Sequence, residues 1–153
     1  MKAGPIDHLF TLQRTPFALA PAIHRFYETA ERKDRDVLLS YLVLPIVLYP
    51  ASRTFLINSN SKSSLRTMCK EQRRLVGLAA RVEQFKTLTN SAMLILSAER
   101  AIEIGEDLSV HSIRPVREEN AKRDLVDASR KLAYIFSDAD VVSIYRTLGL
   151  KTL

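Results

Sequence analysis

The chain has 153 residues and a mass of 17.3 kDa, the length of one ordinary domain with enough material for a buried core, so a large multidomain enzyme is excluded. Hydrophobic residues make up 46% and charged residues 26%, which is the balance of a folded, water-facing protein and not of a disordered tail or a membrane span. The net charge of +6 is unevenly placed: residues 1–83 carry 13 Lys/Arg against 7 Asp/Glu, and residues 84–153 carry 10 of each. All the excess lies in the first half, a pattern that points toward a polyanionic or acidic counterpart.

The four glycines (Gly4, Gly77, Gly105, Gly149) never cluster, so no phosphate-cradling loop can be built from them. Cys69 is single, and His8, His24 and His111 are scattered, which excludes an internal disulfide and leaves no spacing that holds a metal. The expectation is a protein without cofactor or metal in a reducing, cytoplasmic setting. Pro5, Asp7 and His8 interrupt the opening residues, so a secretory signal is not expected.

In chain order, residues 1–14 read as an N-terminal arm and residues 15–101 as a helical core of one domain. Thr15-Pro16 is a helix start, with Leu19, Ile23, Phe26 and Ala30 on one face. Pro21 either kinks that helix or marks its true start. Residues 37–49 form an apolar run of 13 residues, short of the ~20 a membrane span needs, so a buried helix is expected. Pro45 should break it near Leu44, with helix resuming through about Leu56. Residues 58–64, rich in Ser and Asn, read as a polar linker.

From Ser64 to Gln84, Leu65, Met68, Cys69, Leu75, Val76, Ala79 and Val82 recur at helical spacing. Arg66, Lys70, Arg73, Arg74 and Arg81 stand at offsets 0, 4, 7, 8 and 15 and would share the opposite face, a basic stripe about 22 Å long at about 1.5 Å per residue. These five are the candidate nucleic-acid-binding residues. A further helix is expected over Leu88–Ala101, then a β-hairpin over residues 102–113 with its turn at Gly105-Glu106-Asp107. Residues 116–150 should hold two more helices. Leu125, Ala128, Leu132 and Ile135 or Phe136 line the first; the second starts at a Ser137-x-x-Asp140 pattern resembling a capping box and ends at Gly149. The outline is mainly α, a compact helical fold with a small hairpin, winged-helix-like.

Little in this pattern can carry catalysis. Glu118-Glu119 and Glu106-Asp107 sit where a turn or a helix start favours negative charge. Cys69 has no nearby histidine and falls among apolar residues, where a free thiol is inert. His24, two turns from Phe17 and one from Glu28, reads as a surface or half-buried histidine. No catalytic residue is expected, and the chain reads as a non-enzyme.

Three stretches carry a resemblance: Arg14-Thr15-Pro16-Phe17-Ala18-Leu19-Ala20 leading to Phe26-Tyr27; Leu39 to Leu48 with its Leu42-Val43-Leu44-Pro45-Ile46-Val47-Leu48; and Ala128 to Leu132 through Ile135-Phe136 to Ile144 and Leu148-Gly149-Leu150-Lys151. Together, over about residues 14–151, they resemble the middle component of three-component ABC-ATPase (ABC-3C) systems, best known from Lamassu-type bacterial defence. The resemblance implies a small non-catalytic adaptor subunit that joins an SMC-like coiled-coil ABC ATPase to an effector, commonly a nuclease, in an anti-phage or anti-plasmid complex. Nonspecific DNA contact within that complex would fall to the basic stripe, and no membrane is involved. The rival reading of the same residues is a free-standing winged-helix DNA-binding regulator.

Overall fold

The computed structural model describes residues 15–117 and 121–151. The expected arm over residues 1–14 and the Glu118-Glu119 pair lie outside the described residues. Helix α1 (Pro16–Thr29) begins as its sequence dictates: Thr15 Oγ1 accepts the N–H of Ala18 at 3.2 Å and Pro16 fills the first position. Pro21 is inside this helix, in its second turn, where the missing N–H costs only the bond to the Phe17 carbonyl. The Thr15 start is therefore the observed one of the two alternatives.

A 3₁₀ turn (Asp36–Leu39) runs directly into α2 (Ser40–Val47), and α3 (Pro50–Ile57) leaves it at 101°. The break expected near Leu44 falls instead at Leu48-Tyr49. Pro45 is accommodated within α2, and Pro50 opens α3. The Ser52 hydroxyl donates to Ile46 O at 2.5 Å and also reaches Tyr49 O at 3.2 Å, a second bond for corner carbonyls that also accept the N–H groups of Tyr49 and Arg53. Among the described residues no single helix is long and apolar enough to cross a membrane.

The continuous helix expected over Ser64–Gln84 is not there. Ser64 and Thr67 form a capping box for a short α4 (Leu65–Cys69), a second 3₁₀ turn follows at Gln72–Arg74, and Gly77 (φ +70°) turns the chain before α5 (Leu78–Ala98). Only a residue without Cβ adopts that left-handed conformation freely, and this ends the helical register. Conversely, no boundary separates Gln84 from Leu88: α5 runs through both for 21 residues.

Strands β1 (Ile102–Ile104) and β2 (Val110–Ser112) pair antiparallel with Glu103 opposite His111, as the alternation predicts. The hairpin is held to the turn after α1, since Arg35 N–H donates to Asp107 O at 2.9 Å and Val37 N–H to Leu108 O at 3.0 Å. Helices α6 (Arg123–Ile135) and α7 (Val141–Thr147) complete the fold. The capping-box reading of Ser137 is corrected. Asp140 alone caps α7 by accepting the N–H of Ser143 at 2.7 Å, while Ser137 donates to Tyr134 O inside the preceding turn.

One hydrophobic core collects side chains from every α-helix and both strands. Helix α1 is its centre, packed mainly on α6 and α5, and α2 packs on α5. Ile23, Phe26, Leu42, Val43, Leu44, Leu132 and Ile144 are fully buried, each contributing about 1.5–3 kcal/mol by leaving water. Phe26 meets Phe136 edge-on at 6.0 Å between ring centres. The architecture is the mainly helical one with a small hairpin that the sequence predicts.

Candidate partner and nucleic-acid interface

The break at Gly77 divides the basic ladder into two groups with different duties. Arg66 on α4, Lys70 just after it and Arg73 in the 3₁₀ turn are exposed. Arg73 donates through Nε to Glu71 at 2.6 Å, and this bond, with the Arg73 charge and that of Arg74, lowers the Glu71 pKa. The Arg73 side chain nevertheless keeps 76% of its surface in solvent, against 14% for Arg74.

Arg74 and Arg81 are fasteners. The Arg74 guanidinium lies 4.3 Å from the centre of the Phe55 ring, and its Nη1 donates to Thr67 O at 3.1 Å and Met68 O at 3.4 Å. It thereby closes the carboxyl end of α4 and stacks the 3₁₀ turn on α3. Arg81 lies 3.8 Å over the Tyr49 ring, donates through Nε to Pro45 O at 3.1 Å, and bonds Val76 O through Nη1. Burial pulls its pKa down while the neighbouring Tyr49 pulls it up. The five residues do not share one helical face, so the 22 Å stripe expected from the spacing is corrected to an exposed group of three and a structural pair.

The fold also recruits cations that the sequence pattern does not single out. A pocket of about 420 Å³ is lined by Phe55, Asn58, Ser63, Arg73 and Arg74, and a second of about 420 Å³ by Ser61, Arg130, Lys131, Tyr134 and Asp138. Ser59 and Ser63 line both, so the 58–64 linker is a ridge between them, with Lys62 exposed on it. Lys131 Nζ donates to Ser59 O at 2.8 Å, and Arg130 pairs with Asp127 at 2.6 Å beside the Tyr134 ring. The Asp127 hydrogen bond raises the Arg130 pKa. Arg130 and Lys131 escape a reading by halves because the acids of residues 84–153 cancel the basic count there. The signal that finds them is position, one linker away from Arg73.

Chemically, this surface offers cations, hydroxyls and amides to an anion. Nothing on it is a nucleophile paired with a base. Cys69, the one free thiol, has its pKa raised by burial, the opposite of an activated thiolate. His24 is not the surface or half-buried residue expected: it is buried to 1% exposure and bonded to Ser112 Oγ at 2.9 Å.

No curated protein and no solved structure matches the chain. A family model does, that of ABC-three component (ABC-3C) system Middle Component 3, over residues 3–152. With nearly the whole chain aligned to that model, the protein belongs to the family of ABC-three component system middle components.

Proposed function

We propose that this chain is the non-catalytic adaptor subunit of its system, joining an SMC-like ABC ATPase to an effector of the nuclease class in a Lamassu-type anti-phage or anti-plasmid complex of the cytoplasm. The observation that carries the reading is the family match across residues 3–152. The test is co-expression with the co-encoded ATPase and effector, which should yield one co-eluting complex. Elution of this chain alone at its monomer mass, while the other two assemble without it, would remove the adaptor role.

Within that complex, the exposed cations Arg66, Lys70 and Arg73 are the residues proposed to meet DNA phosphates, nonspecifically. If only these three reach phosphate, log K against log salt slopes at about −2.7, compared with about −4.5 for all five ladder residues, at about −0.9 per contact. Reversing Arg66, Lys70 and Arg73 to Glu should weaken DNA binding and flatten the slope while the complex stays assembled. Unchanged DNA affinity with lost assembly would identify the surface as a protein interface. A free-standing winged-helix regulator would need a projecting wing; here the hairpin strands are three residues each and are bonded to the turn after α1.

A further inference from the structure

We infer that the pocket between the start of α1 and the end of α5 seats a segment of a partner protein carrying a carboxylate beside an apolar side chain. The inference rests on the adaptor reading and names one of its contact sites. The pocket has a volume of about 230 Å³. That is below the roughly 300–1,000 Å³ usual for cofactors and drug-sized ligands, and is room for a side chain presented by a protein.

One wall is apolar. Phe17, Pro21 and Ile95 line it; Phe17 is 71% exposed, and Leu94, beside Ile95, is 70% exposed. These are the two most exposed large apolar side chains among the described residues. An exposed aromatic at a pocket mouth is the kind of anchor on which protein interfaces concentrate their energy.

Its rim is cationic. Arg114 and Arg117 line the pocket together with Glu99. Glu99 Oε2 accepts from Arg114 Nη2 at 3.0 Å, and Arg114 Nη1 donates to Pro115 O at 3.1 Å, whereas Arg114 Nε has no partner. Arg117 is exposed and enters no ion pair among the described residues. One carboxylate is thus already matched to one arginine, and the second arginine is left for an incoming acid. Bidentate acceptance of a carboxylate is the geometry that guanidinium groups favour.

Its floor is fixed and uncharged. His24 bonds Ser112 Oγ at 2.9 Å, and Ser112 Oγ donates to Arg114 O at 3.0 Å. The Ser112 proton is therefore committed to the carbonyl, and His24 Nε2–H is the donor in the bond between them. This chain of bonds holds the Arg114 main chain at the pocket edge before any partner arrives.

The test uses the assembled complex with p-benzoylphenylalanine in place of Phe17. Irradiation should cross-link position 17 to the ATPase or the effector, in a peptide containing Asp or Glu. Phe17→Ala and Arg117→Glu, both at exposed positions, should each weaken affinity for that component about tenfold or more. Arg117→Glu should also reduce the salt dependence of assembly, with circular dichroism unchanged. A cross-link to a second copy of this chain, to a peptide lacking acids, or none at all in an intact complex would overturn the inference while leaving the adaptor role standing; so would undiminished affinity in both variants. If the wild-type chain joins neither component, the adaptor reading falls and this inference falls with it.

Discussion

Asp36 Oδ1 accepts the main-chain N–H of Val110 at 2.7 Å, tying the turn after α1 to strand β2 across 74 residues of sequence. The other oxygen, Oδ2, accepts the N–H of Lys33 at 3.0 Å, and the Asp36 carbonyl accepts the Tyr27 hydroxyl at 2.7 Å. Burial raises the Asp36 pKa, with the Lys33 and Val110 N–H groups pulling against it. Hydrogen bonds to a charged group contribute about 1.5–3 kcal/mol each, and removing the acceptor leaves two N–H groups unmatched. Asp36→Ala should therefore lower the urea unfolding free energy by about 3 kcal/mol and raise exchange at the Val110 amide. A loss below about 1 kcal/mol would show that the hairpin is held by its main-chain bonds alone.

Leu44 is fully buried in α2. Leu44→Ala should cost about 2–5 kcal/mol, through lost burial plus the cavity left behind. A loss a tenth of that size, measured by denaturant titration, would mean that this face is reached by solvent.

Arg73 and Arg74 are neighbours with opposite expectations. Arg74→Ala removes a cation–π contact of about 0.5–2 kcal/mol and the bonds that close α4, so thermal unfolding should shift down by several degrees. Arg73→Ala, which frees only a solvent-exposed pair, should leave the melting temperature nearly unchanged. Equal effects in the two variants would contradict the division of the ladder into fasteners and free cations.

His24 sets a pH dependence. Its pKa is lowered from 6.5 by burial first and then by the Arg114 charge; the charge of Glu28 and a main-chain bond with Arg114 oppose this, and Arg25 adds to the lowering. As pH falls the unfolded chain takes up the proton first. The stability that neutral His24 contributes is complete above pH 6.5 and lost as pH falls through the lower folded value. The stability difference between wild type and His24→Gln should shrink on going from about pH 7.5 to about pH 5.5. A difference that stays constant over that range would show that His24 titrates normally in the fold.

Local signals were readable where one residue decides the geometry. Thr15-Pro16 starts α1, and the Ile102–Ile104 alternation becomes a strand. The 70–77 connection was not, because Leu65, Met68, Leu75 and Val82 keep helical spacing across it while the chain turns at Gly77. That single glycine was the available warning. At the site, the pattern located the exposed Arg66, Lys70 and Arg73, but the aromatic partners that take Arg74 and Arg81 out of solvent come from α3 and the corner before it. Arg130 and Lys131 join the surface only through tertiary packing against the linker.

The placement of α1 against α6 bears on how the protein is made. Phe26, already edge-on to Tyr27, gains its second edge-on partner only when Phe136 exists, Lys33 Nζ bonds the carbonyls of Phe136 and Ala139, and Tyr145 donates to Leu38 O. A nascent chain still lacking α6 and α7 has its central helix without the surface on which it packs most, although α2 already has α5. The core therefore closes through contacts far apart in sequence, which slows folding relative to a helical fold held by local contacts alone. During synthesis, the face of α1 that receives α6 therefore stays uncovered until the last two helices among the described residues have emerged.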